Sequence, residues 1–188
     1  ALRRMPYRER IKKPLKSMNP VELLGNIIEV SHSNLEISSR INAVLNIMSQ
    51  HMDFEEVVVF TLDQDKRLTC RFKNQKSLLF KVLDKYRCHI GEGIVGSVAQ
   101  KRVPQYYTDK NLPPRFGCLF YPELDVSAKR HRTFAFVPLS DDSYIYGVLV
   151  LCSPVRRFLT DAEKILLSII SREIGGVLSV NDLLLSSK

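Results

Sequence analysis

Two hairpins set the limits on what this chain can become. Thr133–Leu139 and Tyr144–Cys152 are rich in β-branched and aromatic residues and are joined by the polar tetrad Ser140-Asp141-Asp142-Ser143. That is the pattern of two adjacent antiparallel strands. An earlier pair, Glu56–Leu62 and Arg67–Lys73, is joined by Asp63-Gln64-Asp65-Lys66, and its Leu68, Cys70 and Phe72 alternate with polar neighbours. Pro138 cannot donate a ladder hydrogen bond, so it belongs near a strand end or a bulge.

Helical periodicity lies before, between and after these hairpins. Asn19 suits an N-cap, Pro20 the first helical position and Glu22 the acidic place of a capping box. Val21, Leu24 and Ile28 then recur until Ser31-His32-Ser33-Asn34 offers a break. Ile37, Ile41, Val44, Leu45, Met48 and Met52 mark one face of a second helix. Ser77–Tyr86 predicts a short helix, Ile94–Lys101 another, and Val103–Tyr106 a brief extended piece. Thr160 and Glu163 form a capping box for a final helix. Helix, hairpin, helix, hairpin, helix implies an antiparallel sheet with helices segregated around it, an α+β architecture.

The final helix carries a sharper pattern. Leu167, Ile170, Ile174, Val177, Asn181 and Leu184 alternate three- and four-residue steps, the seam of a coiled coil, while Leu166, Ile169 and Leu178 form a second stripe for the sheet. Two apolar faces on one helix predict a dimer beside the first helix; a single broad core-facing stripe is the other reading. Gly175-Gly176 weakens the seam.

Charge decides less than its total suggests. The chain of 188 residues has a formal charge of +8. Residues 1–20 hold seven Lys/Arg against one acid, whereas the remaining 168 hold 21 against 19. The expectation is a basic linker or tail over 1–18 and a nearly neutral folded domain over 19–188. Such a tail either binds acidic polymers or anionic lipids by counterion release, or is simply solvated. No specific nucleic-acid partner and no membrane insertion is expected, since the longest apolar runs are far too short to cross a bilayer. No secretory pattern opens the chain and the four cysteines are unpatterned, so a cytoplasmic location is expected.

Catalysis finds little support. Cys70, Cys88, Cys118 and Cys152 lack CxxC spacing, and the four histidines form no metal-ligand pattern. Cys88 and His89 are adjacent, so on a strand they point to opposite faces. The run Gly91-Glu92-Gly93-Ile94-Val95-Gly96 lacks the Gly-Lys-Ser/Thr of a nucleotide P-loop. In it, Gly91 and Gly93 permit a tight turn and Gly96 lets a helix approach the sheet closely. The residues identify no cofactor and no metal.

Gly91–Ala99, followed by Val137-Pro138-Leu139 and Tyr146-Gly147-Val148-Leu149 between two long amphipathic helices, resembles a GAF domain across residues 20–182. The resemblance implies a central antiparallel sheet of about six strands, with N- and C-terminal helices on one face and connecting segments covering the other. It implies a sensory module, not an enzyme, that binds a small molecule and regulates an attached kinase, phosphotransferase or transcriptional output domain. Family members that reduce free methionine sulfoxide carry a reactive cysteine in the glycine motif, where this chain has Val95. Cyclic-nucleotide members carry Asn-Lys, Phe, then Asp-Glu; here Phe158 and Glu163 fit, the Asn-Lys pair is missing, and Ala162 replaces Asp. The Asp-Ile-Pro of bilin-binding members is absent. Pro114-Arg115-Phe116, Tyr121-Pro122-Glu123 and Thr133–Leu139 resemble the GAF modules of nitrogen-linked phosphotransferase enzyme I and some sensor kinases.

In this family the pocket lies between the sheet and its covering segments, which makes 108–131 the expected lid. Arg115, Arg130, His131 and Arg132 are candidate anion ligands, and Phe116, Phe120 and Tyr121 candidate apolar walls, with Phe134 on the adjoining strand. A homodimer through the terminal helices is the expected assembly. A ligand-free dimerisation module, or a thiol-dependent methionine sulfoxide reductase, are the other functions the residues leave open.

Overall fold

A computed structural model of the chain describes residues 19–77, 83, 86–112 and 131–186, with side chains described as far as Val180. The expected basic tail over 1–18, and most of the helix expected over Ser77–Tyr86, lie outside the described residues. Order opens where the caps predict it. Helix α1 (Pro20–Ser31) starts with the Asn19 side chain accepting the Val21 amide at 3.0 Å. His32 then ends it, and α2 (Ile37–His51) buries Ile41, Val44, Leu45 and Met48, the stripe read from the sequence.

Strands β1 (Glu56–Leu62) and β2 (Arg67–Lys73) form the first hairpin; Asp63 caps its turn by accepting the Asp65 and Arg67 amides, each at 2.9 Å. Strand β3 (Arg87–His89) pairs with β2, and β4 (Gln105–Thr108) with β5 (Thr133–Ser140). The second hairpin closes between β5 and β6 (Ile145–Ser153). All pairs are antiparallel and the order across the sheet is β3-β2-β1-β6-β5-β4, which joins the two hairpins edge to edge through β1 and β6. Pro138 lies beyond the last β4 pair and beside the irregularity at Leu139/Ser140, where its missing donor costs nothing.

The sheet is covered on both faces, so β1 is buried along nearly its whole length. Val57, Val59, Ala135, Val137, Leu149 and Leu151 point toward α1, α2 and the C-terminal helix α4 (Asp161–Ser186). Val58, Phe60, Phe134, Phe136, Val148, Val150 and Cys152 point the other way, toward helix α3 (Gly93–Lys101). Gly91 and Gly93 have φ of 90° and 63°, and a Cβ on Gly96 would collide with the His89 carbonyl. The glycine motif therefore serves a tight turn and a close helix seat.

One expectation is overturned. Leu167, Ile170, Ile174 and Val177, read as a coiled-coil seam, are buried in this chain's own core, together with Leu166 and Leu178. Ile169, expected against the sheet, is 39% exposed. A three–four repeat reports that a helix has an apolar stripe, and here the sheet takes it up. The side chains of Asn181 and Leu184 lie outside the described residues.

Candidate functional site

Of the expected ligand residues, the structure places His131 and Phe134. Arg115, Phe116, Phe120 and Tyr121, with Arg130 and Cys118, fall in 113–130, outside the described residues. Phe134 follows from strand alternation: it pairs with Cys152 on β6 and Tyr107 on β4, is 1% exposed, and faces α3. The His131 ring lies 6.5 Å from the Phe134 ring at an interplanar angle of 72°, an edge-to-face contact. It is itself 4% exposed, and its Nε2 stands 3.7 Å from Glu55 Oε2.

The register of β1 and β6 then adds groups that the sequence did not single out. Glu56 sits opposite Cys152, so its carboxylate shares the α3 face with Val58 and Phe60 and is 2% exposed. Asn74, also buried, holds this corner by accepting the Val57 amide at 2.8 Å and donating to the Glu55 carbonyl at 3.0 Å. His131 thus stands beside both the Phe134 ring and the partly exposed Glu55 carboxyl, while Cys152 lies opposite Phe134 on one side and Glu56 on the other.

Each thiol here is poorly suited to attack. Burial pushes the Cys152 thiol far above its ordinary value, and the nearby Glu56 and Glu55 add to the shift. Burial also raises Cys88, despite a hydrogen bond with Tyr86 that opposes it. A buried thiol kept protonated is not a thiolate nucleophile. Cys70, the third described cysteine, is buried as its strand position predicts. Among the described residues, no group of three or more His, Cys, Asp or Glu is placed to hold a metal ion.

The two described ends flanking 113–130 are tied to each other. Thr108 donates its amide to Asn111 Oδ1, turning the chain after β4. Asp109 accepts Arg156 Nε at 2.6 Å and a second Arg156 nitrogen at 2.5 Å, and Arg132 at 2.7 Å. The Asp109 amide donates to the Arg132 carbonyl, whose own amide donates to Ser153. The Arg156 guanidinium, with Arg132 beside it, holds the Asp109 carboxyl well below the usual carboxylate range, so it stays ionised. Arg132, expected as an anion ligand, is thus committed to Asp109.

The segment between β6 and α4 explains the partial match to cyclic-nucleotide members. Glu163 receives the Thr160 amide at 2.8 Å and returns its own amide to Thr160 Oγ1 at 3.2 Å, the reciprocal capping box read from the sequence. It also binds Arg157 at 2.6 Å, and Arg157 lies over the Phe54 ring. Burial raises the Glu163 carboxyl, but the bonds from Thr160 and Arg157 outweigh it and lower it overall. Phe158 is 82% exposed. Glu163 is a helix cap here, and Phe158 packs against little.

The opposite face holds an open groove of about 870 Å³ between α4 and the β4–β5 edge, lined by Tyr106, Pro138, Tyr146, Lys164, Arg172 and the small residues of α4. Neither His131 nor Phe134, the described residues of the expected site, lines it.

The sequence pattern described as the GAF domain matches residues 34–179. The Nif-specific regulatory protein of Herbaspirillum seropedicae is 26% identical over 159 residues, covering 81% of this chain and 28% of that protein. The chain therefore spans well under a third of that relative's length. The GAF domain of a phosphoenolpyruvate-protein phosphotransferase from Coxiella burnetii superimposes with a TM-score of 0.77 at 15% identity, covering 91% of this chain and 99% of that one. Free methionine-R-sulfoxide reductase from Neisseria meningitidis, in complex with its substrate, gives 0.69 at 16%, with 88% and 91% covered. At such identities the structural likeness concerns the fold alone. With the pattern match spanning most of its length, the chain belongs to the GAF domain family.

Proposed function

We propose that this chain is a cytoplasmic sensory module that binds a small molecule on the α3 face of its sheet and regulates an attached output domain. The observation that carries the reading is that buried His131 meets the Phe134 ring beside Glu55, with Cys152 and Glu56 on the same face of the sheet, at the described end of 113–130. His131 and Phe134, with Arg115, Phe116, Phe120 and Tyr121, are its ligand residues in this proposal. The output is a histidine kinase, phosphotransferase or transcription activator, in keeping with the regulatory relative from Herbaspirillum seropedicae. Regulation without catalysis fits the buried, protonated thiols at Cys88 and Cys152 and the Val95 of the glycine motif, against the reductase reading.

Native mass spectrometry and a visible absorption spectrum of freshly purified protein test the proposal. A coloured cofactor shows as absorption and a colourless metabolite as extra mass. His131→Ala then lowers the amount retained per folded molecule, over and above the stability it costs by emptying a buried position; full retention would reject His131 as a ligand residue.

The exposed apolar side chains Val21 and Ile28 on α1, and Ile165, Ile169 and Val180 on α4, favour a second reading as a ligand-free dimerisation module. In either reading the homodimer forms through these outward residues instead of the buried seam. Light scattering at high concentration tests the dimer in both readings, because a monomer removes it from each; the mass spectrum separates them, since only the sensory reading predicts a bound molecule.

A further inference from the structure

Helix α4 is seated unevenly. Where it borders the groove, Lys164, Ile165 and Arg172 alternate with Ser168, Ser171, Gly175, Gly176 and Ser179, and the groove stays open between the helix and the sheet edge. Tyr146 reaches the helix there: its Cδ2 would stand 3.7 Å from a Cβ on Gly175, in van der Waals contact. The same ring is held at its other end, since the Tyr146 hydroxyl donates to Asp141 Oδ2 at 2.5 Å. Asp141 lies in the β5–β6 turn and also accepts the Ser143 and Tyr144 amides on Oδ1, each at 2.7 Å. The Tyr146 hydroxyl, followed by these amides, keeps its carboxyl below the usual range and therefore charged at neutral pH.

The turn is also held by the end of α3, through an arginine that reaches the groove beside α4. Arg102 is the C-cap of α3, in the left-handed region at φ 54°. Its guanidinium donates to the carbonyls of Asp141, Asp142 and Ser143 at 3.4, 3.3 and 3.1 Å. A planar fork on successive carbonyls fixes orientation better than a single long bond does.

We propose that Arg102, the Asp141–Tyr144 turn and Tyr146 form a strap that carries a displacement of α3 on one face to Gly175 of α4 on the other. The inference rests on the reading that the α3 face holds the ligand, and it names how that face reaches the helix nearest the C-terminal end. The two arrangements are α4 seated against Tyr146, and α4 released toward the open groove of about 870 Å³ beside it. Transmission of this kind needs a discrete element that both faces bias, and the strap is that element.

Hydrogen exchange on the full chain tests it without a ligand. Arg102→Ala keeps a Cβ at the left-handed position, so only the fork is lost; Tyr146→Phe keeps the ring against Gly175 and loses the Asp141 bond. Each variant accelerates exchange of the α4 amides over 172–179 by about fivefold, the scale of one lost hydrogen bond, and leaves the α2 amides unchanged. The double variant is no faster than the faster single, because both changes cut one strap. Unchanged α4 amides in both singles, or a double that exceeds the faster single, overturn the proposal. Should Arg102→Ala fold poorly, Arg102→Lys keeps the charge without the fork and carries the same expectations. Failure to find any ligand would unseat the sensory reading alone, and an additive double variant the strap alone.

Discussion

Helices α3 and α4 press on one sheet from opposite faces, and glycine has opposite consequences in the two. In α3, Gly96 lies so close to the His89 carbonyl that a methyl group has no place, and the Gly91 amide donates to the Gly96 carbonyl at 2.8 Å. In α4, Gly176 has nothing within 4 Å of where a Cβ would point. The first glycine exists to bring a helix close; the second leaves a helix loosely packed on its groove side. A short, tightly docked helix thus shares a sheet with a long helix seated by its apolar stripe and, in its first turn, by Glu163 on Arg157 and Lys164 over Tyr106. The difference places rigidity beside the proposed ligand site and freedom on the helix proposed to transmit.

The largest expected effect tests that apolar stripe. Ile170→Ala removes a side chain that is wholly buried, and the unfolding free energy falls by about 2–5 kcal/mol in urea denaturation. Ile169→Ala, one residue earlier and 39% exposed, changes it by about 0.5 kcal/mol or less. Equal losses at the two positions would mean that Ile169 is covered by a partner. Next in size, Gly96→Ala forces α3 away from β3 and costs about 1–3 kcal/mol by the same measurement; a neutral result would erase the contrast between the helices. A smaller change has the opposite sign. Gly176→Ala meets open space and improves helix propensity, so it raises stability by about 0.5–1 kcal/mol, read as a higher denaturation midpoint.

Local signals in the sequence carried far. The Asn19 cap, the Thr160–Glu163 box, the break at Ser31 and both hairpins stand where residue chemistry predicts them. Each depends on neighbours within a few positions, where propensity and capping dominate. The site was less legible. Phe134 and His131 were singled out, but Glu56 read only as the first residue of a buried strand, Asp109 only as part of the expected 108–131 lid, and Arg156 not at all. A usable signal existed for Glu56: counting in twos from Val58 and Phe60 puts an acid on the inward face. Nothing comparable announced Asp109, whose partner Arg156 comes from the far side of the second hairpin.

The α4 stripe shows the same boundary from the other direction. Periodicity established that Leu167, Ile170, Ile174 and Val177 share a side of a helix, and could not say whether that side meets a second copy or the chain's own sheet. Burial against β5 answered it. What residues alone determined were the elements, their ends and the α+β order, because those follow from backbone preferences and side-chain spacing over short stretches. What tertiary structure alone decided was which faces meet: β1 beside β6 puts Glu56 opposite Cys152, and the β5–β6 turn lies under Arg102. Such contacts join residues far apart in the chain, and their free energy depends on register and docking, which no local pattern encodes.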